Sequence, residues 1–216
     1  MIFSVDMYFM VLSIVAGITI YFQPYSPLHL KLFPVFLLLT LVNEILAGYM
    51  VSRGQHTTLL YNIYDILEFS FYIYFFVCIV KNKKATFFCK ALLVFYFSFS
   101  LFNLLFFQGI WTYNSITYAA GCLAVVALCA YYFFELFKLK HFVNLAKEPS
   151  FWISAGLLFY FSCSFPLLTT ANFIQNISEI IINSLQSLIL LMNTLLYSLF
   201  TIAFLCRIRI QKYTLS

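Results

Sequence analysis

Residues 71–90 read FYIYFFVCIVKNKKATFFCK: ten apolar or aromatic residues, a break carrying Lys81, Lys83 and Lys84, and then a second apolar stretch. Nothing in this pattern alternates as a half-buried strand would, and the first run is too uniformly apolar for a soluble amphipathic helix. It is the junction of two membrane helices, with charge confined to the point where the chain meets water.

The same grammar extends in both directions. Of the 216 residues, 64% are hydrophobic, 21% aromatic and only 9% charged, whereas a soluble domain carries about a quarter of its residues charged. A hydrocarbon core about 30 Å thick requires roughly 20 apolar residues per helix. Seven runs meet that length: Ile2 to Phe22, Leu32 to Met50, Leu59 to Val80, Phe87 to Phe107, Ser115 to Phe137, Phe151 to Thr170 and Ile180 to Cys206. Turn formers fill the breaks, as in Gln23-Pro24-Tyr25-Ser26-Pro27, Ser52-Arg53-Gly54-Gln55 and Glu148-Pro149-Ser150. Trp111 and Trp152 lie at run edges, where amphipathic rings favour the headgroup level.

The twelve basic residues sort by gap. Lys31 is in the first, Arg53 in the second, Lys81, Lys83, Lys84 and Lys90 at the third, Lys138, Lys140 and Lys147 in the fifth, and Arg207, Arg209 and Lys212 in the tail. Seven spans with the amino terminus outside leave Arg53 alone on the outer side, which is the asymmetry the positive-inside rule describes. The expected fold class is therefore all-α: a polytopic, compact seven-helix bundle over residues 1–216, N-terminus outside and C-terminus cytoplasmic. The first run carries Asp6 and no basic leader, so it reads as a retained helix. The short gaps leave no room between runs for a kinase, nuclease or binding domain. The net charge of +5 suits an anionic inner leaflet better than nucleic acid.

Cys78, Cys89, Cys122, Cys129, Cys163 and Cys206 lie in runs or at their inner edges without a Cys-x-x-Cys pair, which argues against a disulfide framework and for simple packing. His29, His56 and His141 are scattered, so no histidine metal site is expected. No His-Glu-x-x-His, Gly-x-Ser-x-Gly or phosphate loop occurs, and no cofactor or catalytic residue is assigned. The seventh run has no lysine, which excludes a retinal Schiff base.

The informative groups are intramembrane acids. Glu135, one turn before Lys138, is most simply a surface pair. Glu44, Asp65 and Glu68 lie roughly 9, 9 and 13 Å below the outer ends of their runs at about 1.5 Å per residue. A charge near mid-bilayer costs at least about 2.5 to 3.5 kcal/mol on the insertion scale, so such side chains face the bundle interior and carry a task. The short turn from Val51 to Thr58 makes the second and third helices antiparallel neighbours. Tyr61, Asp65, Glu68 and Tyr72 share one face by i, i+4, i+7, i+11 spacing, and Thr40, Glu44 and Gly48 another. No lysine or arginine lies at that depth, so protons, or a cation or amine from outside, must balance the acids. Ser98, Ser100 and Asn103 in the fourth run, Ser162, Ser164 and Pro166 in the sixth, and Asn183, Gln186, Ser187, Asn193 and Tyr197 in the seventh add polarity in the same half. The expected ligand-binding set is Glu44, Asp65, Glu68, Tyr61, Asn62, Asn183, Gln186 and Asn193, lining an outward-facing pocket. The competing reading is structural: Asn, Gln, Ser, Tyr and protonated acids also join membrane helices by hydrogen bonds. Ala119, Ala120, Gly121, Ala124, Ala127 and Ala130 mark the fifth run as a closely packed central helix.

Two resemblances bear on function. Asn62-x-x-Asp65 and Asn183-x-x-Gln186 open the third and seventh runs alike, which resembles the three, one, three plan of SWEET-type sugar transporters, although no Pro-Gln motif is present and Pro34 and Pro166 differ in depth. Residues 60–69 (LYNIYDILEF), 148–153 (EPSFWI) with Gly156, and 192–197 (MNTLLY) are similar to uncharacterised small seven-span membrane proteins of Bacteroidota. That resemblance implies a bacterial inner membrane and no particular activity. The expected function is a sensor or receptor-like component that binds a small cationic or polar ligand from the outer side and signals to a membrane or cytoplasmic partner. A small-solute transporter and an oligomeric effector or pore are the alternatives.

Overall fold

The computed structural model describes residues 5–23, 26–138, 145–173 and 179–214, with the side chains of 167–173, 179–183 and 207–214 excepted. Among the described residues the chain forms seven α-helices and no strand. They are α1 (Val5–Ile18, extended by a 3-10 turn Thr19–Phe22), α2 (Leu28–Ser52), α3 (Thr58–Ile79), α4 (Lys83–Phe102, continued by a π-helical turn Asn103–Phe107), α5 (Ser115–Phe137), α6 (Pro149–Phe173) and α7 (Glu179–Thr214). Six of them, counting the two extensions, are long and apolar enough to cross a membrane. The protein is a multi-pass helical membrane protein.

Helix ends follow local chemistry. Pro149 opens α6, where its missing N–H is not needed. Pro27 precedes α2 and its carbonyl accepts from Leu30 and Lys31, so α2 begins four residues earlier than hydropathy alone indicates. At the start of α4 the Asn82 side chain accepts from the Lys84 amide at 3.0 Å, an N-cap of the usual kind. Glu135 completes that junction: its two carboxylate oxygens accept from the Lys81 and Asn82 amides at 3.1 and 2.8 Å. The expected Glu135–Lys138 pair is therefore corrected. The carboxylate ties the α3–α4 turn to α5, and the Lys138 ammonium lies 4.2 Å from the centre of the Phe134 ring.

Consecutive helices α1, α2 and α3 pack side by side, α5 lies on α3 and on α6, and α7 closes the ring against α6 and α1. Helix α4 lies outside this ring, mainly against α3. Half of the α3 span is buried, against 33% for α5, so the expectation of a central fifth helix is corrected. Ala127 and Ala130 face outward. Gly121 nevertheless allows the close approach that the small residues implied, since a Cβ there would stand 2.5 Å from the Phe69 ring. Gly17 does the same for α1 and α2, where a Cβ would meet the Pro34 ring at 2.6 Å.

Lipid tails are as apolar as these side chains, so burial alone does not drive the helices together, and shape and ring geometry must do so. Phe33, Phe69, Phe75, Phe76, Phe161, Phe200 and Phe204 are fully buried. Phe33 of α2 meets Phe71 of α3 and Phe200 of α7 edge-on at 5.1 and 5.2 Å, and Phe69 of α3 meets Phe161 of α6 at 5.1 Å. Such pairs contribute about 0.5 to 1.5 kcal/mol each beyond area.

Candidate functional site

Helix α3 carries the site because its inward face mixes acids with tyrosines at helical spacing. Asp65 is buried, and one carboxylate oxygen, Oδ2, has no hydrogen-bond partner among the described residues. The Tyr113 phenol, from the α4–α5 connection, is directed at the same carboxyl group. One turn further along, Glu68 is half-buried, with the Tyr72 hydroxyl as its donor. Tyr61 lies within electrostatic range of both Glu44 and Asp65, and Glu68 within range of Asp65 and Glu44. Glu44, half-buried on α2, lies within electrostatic range of Asp6 of α1. Among the described residues no lysine or arginine acts on Glu44, Asp65 or Glu68.

Tyrosines line the inner wall of this cluster. Tyr64 shares a 2.8 Å hydrogen bond with Thr40 of α2, whose hydroxyl also donates to the Phe36 carbonyl at 3.1 Å. Tyr160 of α6 and Tyr197 of α7 both lie within range of Glu68 and Glu44. Six phenols and four carboxyl groups thus meet between α1, α2, α3, α6, α7 and the α4–α5 connection. The Asn43 amide nitrogen, buried on α2, has no hydrogen-bond partner among the described residues either.

The remaining expected residues separate. Asn62 is fully buried and directs both ends of its amide to the α4–α5 connection: Nδ2 donates to the Thr112 carbonyl at 2.8 Å, and Oδ1 accepts from the Asn114 amide at 2.9 Å. It anchors the connection that presents Tyr113. Asn103 belongs to the same loop network, donating to Gln108 Oε1 at 2.8 Å and to Asn114 Oδ1. Asn193 donates to Asp6 Oδ2 at 2.9 Å, which brings it to the cluster through α1. Gln186 is exposed on α7. The side chain of Asn183 lies outside the described residues.

Sequence reading missed Asp6 as a member of the cluster, using it only to mark the first helix. It also missed Tyr113, which lies outside any run. The signal for Asp6 was its carboxylate within an apolar helix; for Tyr113 there was none, because its position depends on loop geometry. Burial, then the neighbouring Asp65 carboxylate, holds the Tyr113 phenol well above its ordinary range.

Among the described residues no three His, Cys, Asp or Glu side chains converge closely enough to hold one metal ion. The cavities include one of about 220 Å³ at the rim bearing His29, Lys81, Glu135 and Glu148, and one of about 650 Å³ between α4 and α5. Neither is lined by Glu44, Asp65 or Glu68. Compared with protein-family models, curated proteins and solved structures, the chain has no match.

Proposed function

We propose that the protein is a sensor or receptor-like component of a bacterial inner membrane, crossing it seven times with the amino terminus outside, and that its acid and tyrosine cluster binds a small organic cation from the periplasmic side. The observation that carries this reading is the meeting of Asp6, Glu44, Asp65 and Glu68, with no lysine or arginine among the described residues acting on the last three. Carboxylates such as Glu44, Asp65 and Glu68 are costly at hydrocarbon depth, and a bound cation offsets that cost. The spread of the carboxyl groups favours an amine over a bare metal ion, because an amine takes separate hydrogen bonds along its length while a metal needs its ligands at one point. Phenol faces add cation–π attraction for an alkylammonium group. A signal would pass to a partner through the basic loops and tail.

The test is thermal stability in detergent with choline, ethanolamine, putrescine and sodium as probes, in wild type and Glu68→Gln. Stabilisation by an amine, absent in the variant, is the expected result. Stabilisation by none of them counts against the proposal. Transport is the second reading, favoured by Pro166 inside α6, which removes a helical hydrogen bond in the helix that carries Tyr160 of the cluster. Flux of the same amine in proteoliposomes, lost in Glu68→Gln, would select it.

A further inference from the structure

The groove between α4 and α5 is a separate feature. Both helices rest on α3 and barely touch one another, so they diverge and leave about 650 Å³ between them. Its walls are Ala85, Phe88 and Leu92 of α4 and Leu123, Ala127 and Tyr131 of α5. Cys89 and Leu128, both buried, form its floor. From Lys84 to Leu92, and equally from Tyr131 to Leu123, the groove runs eight residues, about 12 Å at helical rise. That is close to the hydrocarbon depth of one leaflet, half of about 30 Å.

Only one end is polar. Asn82 and Lys84 line the mouth, Lys83 is exposed beside them, and the positive end of the α4 dipole points the same way. Glu135 is the nearest carboxylate of the junction; it is held by the Lys81 and Asn82 amides and does not line the groove. A slot that is apolar along its length and cationic at its rim matches an acyl chain joined to a phosphate.

We infer that the α4–α5 groove is a binding site for one anionic phospholipid, its acyl chain lying on Cys89 and Leu128 and its phosphate at Lys83 and Lys84. Basic residues just outside the hydrocarbon attract anionic headgroups. Ala124 and Ala127 keep the slot open, and a larger residue at the outward-facing Ala127 would fill it without entering the core.

Native mass spectrometry of the delipidated full chain, titrated in detergent with phosphatidylglycerol or phosphatidylcholine, tests this. The first phosphatidylglycerol should bind more tightly than phosphatidylcholine, with Lys83→Gln and Lys84→Gln each reducing the preference about fivefold, the change that about 1 kcal/mol per lysine corresponds to. Ala127→Phe should weaken both lipids, and Ala124→Leu should do so too, so that the result does not rest on one variant's folding. Equal affinity for the two lipids, unchanged binding in both groove-filling variants, or a dimer cross-linked through α4 and α5 would each overturn the proposal.

Discussion

Asn193 of α7 donates a 2.9 Å hydrogen bond to Asp6 of α1, joining residues 187 positions apart in sequence. This contact closes the helical ring at the level of the acid cluster and places a fourth carboxylate beside Glu44. A hydrogen bond between membrane helices contributes about 0.6 to 1.7 kcal/mol. Asn193→Leu should lower unfolding stability by about that amount, measured by thermal denaturation in detergent, and Asp6→Asn should lower it less because the amide still accepts.

Gly121 and Gly48 make a matched pair. A Cβ at Gly121 would lie 2.5 Å from the Phe69 ring, whereas at Gly48 nothing stands within 4 Å. Phe69 is fully buried and packed on Tyr96, Tyr118 and Phe161, so it has no room to give. Gly121→Ala should destabilise by about 1 to 3 kcal/mol, and Gly48→Ala should be neutral or slightly stabilising because it restricts the unfolded chain. Partial rescue of Gly121→Ala by Phe69→Leu would identify the ring as the obstacle.

Asn62 tests how the α4–α5 connection is held. Asn62→Ala leaves the Thr112 carbonyl and the Asn114 amide without their partner, a loss of about 1 to 3 kcal/mol where those groups stay buried. Limited proteolysis should cut near Trp111 faster in this variant. An unchanged cleavage rate would show that the Asn103, Gln108 and Asn114 network suffices alone.

Much of the fold was legible. The charge breaks at 81–84 and 52–55 fell where helices end, because a polar backbone junction can lie only where water or a cap reaches it. The π-helical turn at Asn103–Phe107 left no trace in hydropathy. Within the site, helical spacing alone placed Tyr61, Asp65 and Glu68 on one stripe. Rotation about each helix axis was not legible, and it decides that α3 is central, that Asn193 meets Asp6 and that Gln186 faces outward. Loop geometry was not legible either, so Asn62 read as a ligand donor when its amide is taken up by Thr112 and Asn114.

Tyr113 gives a pH dependence. Its phenol is held protonated in the folded protein above its ordinary range by burial and by Asp65, so beyond about pH 10 the unfolded chain loses a proton that the folded one keeps. Stability from this group is present below that pH and declines as pH rises. Alkaline denaturation of Tyr113→Phe should therefore fall less steeply than that of wild type, read by thermal midpoints between neutral and strongly alkaline buffer.

The most direct test of the central claim is calorimetric titration of the purified protein with choline, ethanolamine and putrescine, in wild type, Glu68→Gln and Asp65→Asn. Saturable binding of at least one amine, weakened tenfold or more in both variants while their folding is retained, is the expected result. Binding that persists unchanged in both variants, or no binding of any amine to the wild type, would contradict it.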